Sequence, residues 1–321
     1  MPGELTVVIC THNRVGLLGR TLASLNAAER PSGWKIELLV IPNACTDTTV
    51  DFLRQYQAQA GFRQSIALHF AEEPNAGKSR ALNLAIELIR TEAVAYVDDD
   101  HRVDHAYLAG VCGAFDRYPD ADLFCGRIIP DWDGSEPAWV HDTGAYRIYP
   151  LPVPRFDLGE QPMRVEPGTA TPGGGNLCLR SSLFGKVGGF SLDFGPTGHD
   201  LGGAEDIEWV KRAIGLGAIV QYVPEMVQYH YVDRERLRLG YLMRKSYQRS
   251  SSIVRLAPDV GANGRVPAYM YRKTFEYLLS ALFSLGADRR RFYLVRLAAA
   301  LGEIHGVLKR REGRLEAART E

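Results

Sequence analysis

The chain has 321 residues, of which 45% are hydrophobic and 24% are charged, an ordinary balance for a globular protein. Its 38 basic and 38 acidic residues cancel, so no net charge draws it to nucleic acid and any basic patch is local. Five scattered cysteines without a CxxC pair argue against a zinc site or a disulfide framework and favour a reducing cytoplasm. A strand predicted from Leu5 leaves no room for a signal peptide, and no apolar run approaches the roughly 18 residues that span a bilayer. We expect a cytoplasmic protein that at most binds a membrane surface.

Strands and helices alternate through the first hundred residues. Continuous apolar runs predict buried strands at 5–10, 36–41 and 66–70, with helices between them. This alternation indicates an α/β fold with a doubly wound sheet, in which the loops after the strands meet at one ligand-binding edge. Polar side chains suited to a nucleotide stand in these loops: Thr11, Asn13, Arg14, Asn43, Asp47, Lys78 and Arg80. Each alone is also ordinary turn or cap chemistry.

Three consecutive aspartates, Asp98, Asp99 and Asp100, end the next apolar strand at 95–97. Adjacent carboxylates repel one another, so a metal or another cation is expected among them. A solvated turn is the alternative for an isolated acidic triplet. Gly77-Lys78-Ser79 superficially resembles a phosphate-binding P-loop but lacks the upstream glycine, which excludes an ATPase of that type.

The middle of the chain changes character after a helix predicted at 103–118. A segment at 130–172 is rich in proline, glycine and aromatic residues, and a loop of this length is usually functional or mobile. Glu205 and Asp206 open a later helix, where acids also simply favour the helix dipole. His230 follows a strand and, taken alone, is typical of a histidine buried in a core. It becomes a candidate site residue only if the fold places it close to the three aspartates.

The C-terminal part is predicted to be helical. Residues 234–255 hold seven Lys or Arg against one acid, which indicates either attraction to a diphosphate or an anionic surface, or an exposed helix face. Amphipathic helices are predicted at 270–285 and 292–308. Binding to a membrane, to a second subunit or to the catalytic domain fits these helices equally well.

Together, residues 5–232 resemble the family 2 glycosyltransferases, which have the GT-A fold and use nucleotide-diphosphate sugars. Several motifs stand in the family's order, which is more specific than any one of them. They are Val8 to Arg14, Pro42 to Asp47, Asn75 to Asn83, Asp98-Asp99-Asp100, Gly174-Gly175-Asn176, Val187 to Phe190, Glu205-Asp206 and His230. The resemblance implies a mixed, mainly parallel sheet flanked by helices, with a nucleotide-sugar half at 1–104, an acceptor half at 105–232 and a helical appendage at 233–321.

The resemblance also implies a role for each motif residue. Asp98, Asp100 and His230 would hold Mn²⁺ or Mg²⁺, with the imidazole favouring manganese. Asp206 would be the general base of an inverting transfer to an acceptor hydroxyl. The nucleotide would contact the loop residues named above together with Gly77 and Asp99. The donor or acceptor sugar would contact Gly174, Gly175, Asn176, Glu205 and Trp209.

The resemblance leaves the substrates open. A UDP-sugar is the expected donor, although Pro42 stands where the family often has an acid that contacts the base. The acceptor is expected to belong to the synthesis of a cell-surface polysaccharide or a glycolipid. A nucleotidyltransferase is one alternative, but Thr11 to Arg14 lacks the glycines that such an enzyme needs after its first strand. The other alternative is a non-catalytic sugar-nucleotide-binding protein.

Overall fold

The computed structural model of the protein describes residues 3–59, 65–149, 151, 153–166, 168–192, 205–256 and 265–320. It divides the chain into two compact units. Unit 1 comprises Met1–Asp131 and Pro154–Tyr231, and unit 2 comprises Trp132–Val153 and Val232–Glu321. The helical appendage expected from residue 233 therefore also takes in the aromatic segment at 132–153.

A single mixed sheet forms the centre of unit 1. Its strands are β1 (Gly3–Thr11), β2 (Trp34–Pro42), β3 (Ala67–Phe70), β4 (Ala93–Tyr96), β5 (His101–Val103), β6 (Leu123–Asp131), β7 (Met163–Arg164), β8 (Leu177–Arg180) and β9 (Val220–Tyr231). Their order is β3-β2-β1-β4-β8-β6-β9-β5, and β7 also pairs with β9. β1 to β4, β6 and β9 run in one direction, and β5, β7 and β8 run in the other. The predicted mixed, mainly parallel sheet is thus confirmed.

Helices cover both faces of this sheet. They are α1 (Val15–Ala27), α2 (Thr49–Gln59), α3 (Lys78–Leu88), α4 (Tyr107–Arg117), α5 (Ser182–Val187) and α6 (Glu205–Gly215). Leucines of α1, α2 and α4 pack into one core cluster, and residues of α3, α5 and α6 pack into a second. Burial on both faces explains why β1, β2 and β4 read as continuous apolar runs instead of alternating ones.

The order of the strands positions the site. β1 lies between β2 and β4, so the chain reverses its direction of travel across the sheet at this point. Such a switch point opens a crevice at the carboxyl ends of the strands. Thr11 ends β1, and the three aspartates follow β4. The helix predicted at 103–118 begins only at Tyr107, because His101–Val103 pairs with β9 as the short strand β5.

Unit 2 consists of α7 (Leu239–Leu256), α8 (Ala268–Leu282) and α9 (Ala287–Thr320) together with the segment at 132–153. Two glycines of α9 allow α7 to approach closely. A Cβ atom on Gly302 would lie 2.2 Å from the carbonyl oxygen of Tyr247, and one on Gly306 would lie 2.5 Å from that of Ser251. Neither position has room for a side chain larger than the hydrogen atom of glycine. The two helix backbones therefore pack directly against each other.

Large apolar side chains are exposed on and after α8, as in Phe275, Leu282, Phe283 and Leu285. Among the described residues, no helix is both long and apolar enough to cross a membrane.

The packing of α7 on α9 predicts the effect of adding one methyl group. Gly302→Ala should lower the free energy of unfolding by about 1–3 kcal/mol, because the helices must move apart to admit it. Gly240→Ala is the matched control, since nothing lies within 4 Å of a Cβ atom at that position of α7. Urea denaturation of both variants measures the difference, and equal stabilities would contradict the close packing.

Candidate active site

Four charged side chains of unit 1 form a group that we call the lysine cluster: Lys78, Asp98, Glu205 and Asp206. Lys78 is the first residue of α3, Asp98 follows β4, and the last two residues open α6. The Nζ atom of Lys78 lies 3.0 Å from Oδ1 of Asp98 and 3.8 Å from Oε1 of Glu205. One cation therefore connects the acids of two distant segments.

Electrostatics keeps the lysine cluster charged. Burial alone would lower the pKa of Lys78, but the carboxylates of Asp98, Glu205 and Asp206 outweigh it and raise that pKa. Burial would likewise raise the pKa of Asp98, but the ammonium group of Lys78 holds it well below its ordinary value. Lys78 and Asp98 therefore form a charged pair that remains partly exposed to solvent.

Asp206 faces a small pocket that Lys78, Asp98 and Gly174 also line. Its Oδ2 atom accepts a hydrogen bond from the backbone N–H of Gly174, and its Oδ1 atom accepts one from that of Ile207. A Cβ atom on Gly174 would lie 2.8 Å from that of Asp206, so only glycine permits this contact. The glycine segment thus orients one carboxylate beside the acid that follows β4.

A second group, the histidine cluster, consists of Asp100, His101 and His230. His101 and His230 are direct partners across the antiparallel pair of β5 and β9. Nε2 of His230 lies 3.7 Å from Oδ2 of Asp100, and Nε2 of His101 lies 3.9 Å from Oδ1 of Asp100. One ligand atom from each residue lies within 4.8 Å of the others, close enough to share a metal ion.

Hydrogen bonds set the tautomers of both imidazoles. Nδ1 of His230 donates to the carbonyl of Tyr231 at 2.6 Å, since a carbonyl oxygen only accepts. Gln228 donates its amide protons to Tyr96, Tyr107 and Asn176, so its Oε1 atom accepts from Nδ1 of His101, also at 2.6 Å. In the neutral rings each Nε2 atom therefore carries a lone pair toward Asp100. Nε2 of His101 is buried and has no hydrogen-bond partner among the described residues.

Gly175 packs against both clusters. A Cβ atom there would lie 2.7 Å from both Oδ2 of Asp98 and Cε1 of His101. Asp98 Oδ2 is 3.9 Å from Nε2 of His101, so the two clusters meet at these two residues. Of the predicted ligands, Asp100 and His230 share one group of ligand atoms with His101, and Asp98 lies beside that group.

Thr11 ends β1 and Arg14 directly precedes α1, and both contact the middle residue of the acid triplet. Arg14 donates to Oδ1 of Asp99 at 2.9 Å and to Oδ2 of Asp100 at 3.0 Å, and Thr11 donates to Asp99 at 2.7 Å. Burial nevertheless raises the pKa of Asp99 to about 6, and the nearby charge of Asp100 contributes to this rise. Asp99 is fully engaged by these two side chains, whereas Asp98 and Asp100 face the clusters.

Several predicted nucleotide contacts instead order the loops around the crevice. Asn43 is buried; it donates to the carbonyls of Glu73 and Asn75 and accepts from the N–H of Gly77. Asn13, at a positive φ of 52°, accepts from the N–H groups of Thr46 and Asp47. The Asp47 side chain accepts from Thr49 at the start of α2. Arg80, by contrast, is exposed.

Two residues predicted at the sugar site lie in the core. Trp209 has no exposed surface; its Nε1 atom donates to the carbonyl of Gly188, and its ring stacks on Phe190. Asn176 is 1% exposed and donates to the carbonyls of Arg127 and Met226. Both side chains support the site from behind, because neither has a polar atom or a ring face left for a sugar.

His101 and Gln228 were not predicted as site residues from the sequence. A signal for both was present. His101 follows the acid triplet directly, and Gln228 stands two residues before His230, which places the pair on the same face of a strand.

The sequence model of Glycosyl transferase family 2 matches residues 6–184, more than half of the chain. The chain belongs to this family. The matched region contains most of β1, all of β2 to β4, the acid triplet and the glycine segment at 173–175.

Two curated relatives illustrate the range of the family. A glucosyl-dolichyl phosphate glucuronosyltransferase of Haloferax volcanii is 23% identical over 61% of this chain and 58% of its own length. A validoxylamine A glucosyltransferase of Streptomyces hygroscopicus is 28% identical over 65% of this chain and 52% of its own length. The chain thus spans little more than half of the curated relatives it matches.

Solved structures confirm the GT-A fold. TarS of S. aureus in complex with UDP has a TM-score of 0.55 at 15% identity, covering 97% of this chain and 92% of its own. The mannosyltransferase PcManGT of Pyrobaculum calidifontis, in complex with GDP-Man and Mn²⁺, has a TM-score of 0.51 at 19% identity, covering 98% and 75%. This family 2 glycosyltransferase therefore has the fold that its motifs predicted.

The contacts of Arg14 predict a stability effect. Arg14→Gln should lower the free energy of unfolding by about 1–2 kcal/mol, because two buried carboxylates lose their cation; the partial exposure of Arg14 keeps the loss below that of a fully buried pair. Arg80→Gln removes the same charge from an exposed position and should change stability by less than about 0.5 kcal/mol. Urea denaturation in EDTA compares the two, and equal losses would contradict the bridging role.

Proposed function

We propose that this enzyme transfers a sugar from a nucleoside-diphosphate sugar to an acceptor hydroxyl, with inversion at the anomeric carbon and with the help of a divalent metal ion. The observation that carries the proposal is the proximity of the lysine cluster and the histidine cluster, which meet at Asp98 and His101 beside Gly175. A metal site, a cation for phosphate and a carboxylate base are the three elements that this reaction needs.

The histidine cluster is the proposed metal site. Its donor set of two imidazoles and a carboxylate suits Mn²⁺ better than Mg²⁺, which prefers oxygen ligands. The buried Nε2 atom of His101 supports this assignment, because an imidazole lone pair without a hydrogen bond is costly in the core. Asp98 lies near enough to His101 to join the ligands. When bound, the metal would act as a Lewis acid toward the departing diphosphate.

Lys78 is the proposed protein cation for the donor phosphates. Its raised pKa keeps the ammonium group charged throughout the working range of the enzyme. Its position at the N-terminus of α3 adds the partial positive charge of the helix dipole to its own. Lys78 would therefore be the protein side chain that stabilises the negative charge developing on the leaving diphosphate.

Asp206 is the proposed general base. The N–H groups of Gly174 and Ile207 hold its carboxylate in the cavity, so a proton from an acceptor hydroxyl has a defined destination. A base on the opposite side of the sugar from the leaving group requires in-line attack, which inverts the anomeric carbon. Glu205 is buried and close to Lys78, and we assign it a positioning role.

The relatives support the substrate class but not one substrate. TarS has been solved with UDP and with UDP-GlcNAc, and PcManGT with GDP-Man and Mn²⁺. The acceptor is proposed to belong to glycolipid or cell-surface polysaccharide synthesis, a proposal that the lipid-linked name of the Haloferax relative favours. All five cysteines are free thiols, in keeping with the proposed cytoplasmic location.

Loss of the proposed base should separate chemistry from binding. With Mn²⁺ and a panel of UDP- and GDP-sugars, the wild type should hydrolyse or transfer at least one donor. Asp206→Asn should lower kcat by about 10²–10⁴-fold, because the amide cannot accept the proton, while the Kd for that donor changes less than about threefold.

Glu208→Gln is the matched control for this experiment. Glu208 lies on the same helix but pairs with Arg212, so its replacement should leave kcat within about twofold. Equal loss of kcat and of donor affinity in Asp206→Asn would refute the base assignment. An absence of turnover with every donor in the wild type would refute the proposed function.

The metal assignment predicts a binding defect that does not depend on turnover. His101→Gln and His230→Gln should each weaken Mn²⁺ binding at least tenfold, as measured from free Mn²⁺ by electron paramagnetic resonance, because each removes a proposed ligand. His69→Gln replaces an exposed histidine of β3 and should leave the affinity unchanged. If only His230→Gln weakened binding, His101 would be excluded from the metal shell.

A further inference from the structure

An open cleft lies within unit 2 and includes none of the groups of the proposed reaction. Its walls come from α7, from α9 and from residues 147–149 and 151. Four of its lining residues are cationic: Arg147, Lys245, Arg249 and Arg296. None of the described residues that line it is acidic. The basic stretch noted in the sequence at 234–255 thus contributes two cations to a concave surface.

The cations stand close together at a cost to the fold. Lys245 and Arg249 are four residues apart on α7, where like charges on one helix face repel. Arg147 and Arg296 each place a guanidinium over an aromatic ring, that of Tyr149 at 5.7 Å and that of Phe292 at 5.1 Å. These cation–π contacts restrain each guanidinium group beside the aromatic surface of the cleft.

The environment of Lys245 supports a positive field in the cleft. Burial lowers the pKa of Lys245, and the charges of Arg236 and Arg249 lower it further. A bound anion would relieve this repulsion. Three guanidinium groups and one ammonium group line the same cleft. Such a group of cations suits an anion that carries several acceptor oxygens.

We propose that this cleft binds a phosphate group that is attached to a larger organic molecule. The guanidinium edges match phosphate oxygens in a bidentate way, and Ser246 adds a hydroxyl donor to the lining. Tyr149, which is 78% exposed, and Phe292 supply apolar surface for the rest of the ligand. This site is independent of the proposed function, because all of its residues belong to unit 2.

The test uses the full chain in EDTA with inorganic phosphate as the probe, titrated by isothermal calorimetry. The cleft variant Arg249→Gln/Arg296→Gln should weaken phosphate binding at least about tenfold, because it removes two guanidinium groups from exposed positions without opening the core. The control variant Arg272→Gln/Arg290→Gln removes the same charge from exposed positions of unit 2 that do not line the cleft, and should bind within about twofold of the wild type. Phosphate bound in unit 1 contributes equally to all three proteins.

Equal phosphate affinity in the cleft variant and the control would overturn the proposal, provided that both unfold at the same urea concentration as the wild type. Co-sedimentation with phosphatidylglycerol vesicles, compared with phosphatidylcholine vesicles, identifies the source of the phosphate once the first result is positive. Vesicle binding that the cleft variant loses and the control retains supports a lipid headgroup. Vesicle binding that is equal in all three proteins supports a soluble phosphate-bearing ligand in the same cleft.

Discussion

The structure of unit 1 depends on the neutralisation of carboxylates that are gathered at one point of the sheet. Asp98, Asp99 and Asp100 emerge where β1 and β4 lie side by side, and two of them are almost fully buried. Arg14 pairs with Asp99 and Asp100 from the position just before α1, and Lys78 pairs with Asp98 from the start of α3. The loop after β4 therefore supplies the acids, and the loops after β1 and β3 supply the cations that stabilise them.

The sheet and most of its site were predictable from the sequence because the signals are local. Continuous apolar runs marked β1, β2 and β4, since burial on both faces removes the polar alternation of an ordinary strand. The acids after β4 and at the start of α6 belong to short motifs, and motifs in a known order carry their spatial arrangement with them. His230 and Asp100, which the motifs grouped together, lie 3.7 Å apart between Nε2 and Oδ2, and their role as metal ligands stays a prediction.

The rest depended on contacts between residues far apart in the chain. Asn176 and Trp209 have polar groups that satisfy backbone carbonyls of distant loops, and only a folded chain shows that these groups are already used. His101 was overlooked because its importance comes from a three-residue strand that pairs with β9. The segment at 132–153 resembled an open loop, yet Val140 and Val153 pack with Leu237 of the helical unit. Periodicity within a window cannot reveal such partners.

The discontinuous makeup of unit 2 has a consequence for biosynthesis. Trp132–Val153 leaves the ribosome roughly a hundred residues before Val232–Glu321, the part that completes its unit. At translation rates of about 5–20 residues per second, Trp132, Trp139 and Val140 wait on the order of 5–20 s for apolar partners such as Leu237. During this time the segment exposes apolar side chains, which are the kind of surface that chaperones bind. For the same reason, a protein truncated at residue 232 would leave Trp132 and Trp139 without the part of unit 2 against which they pack.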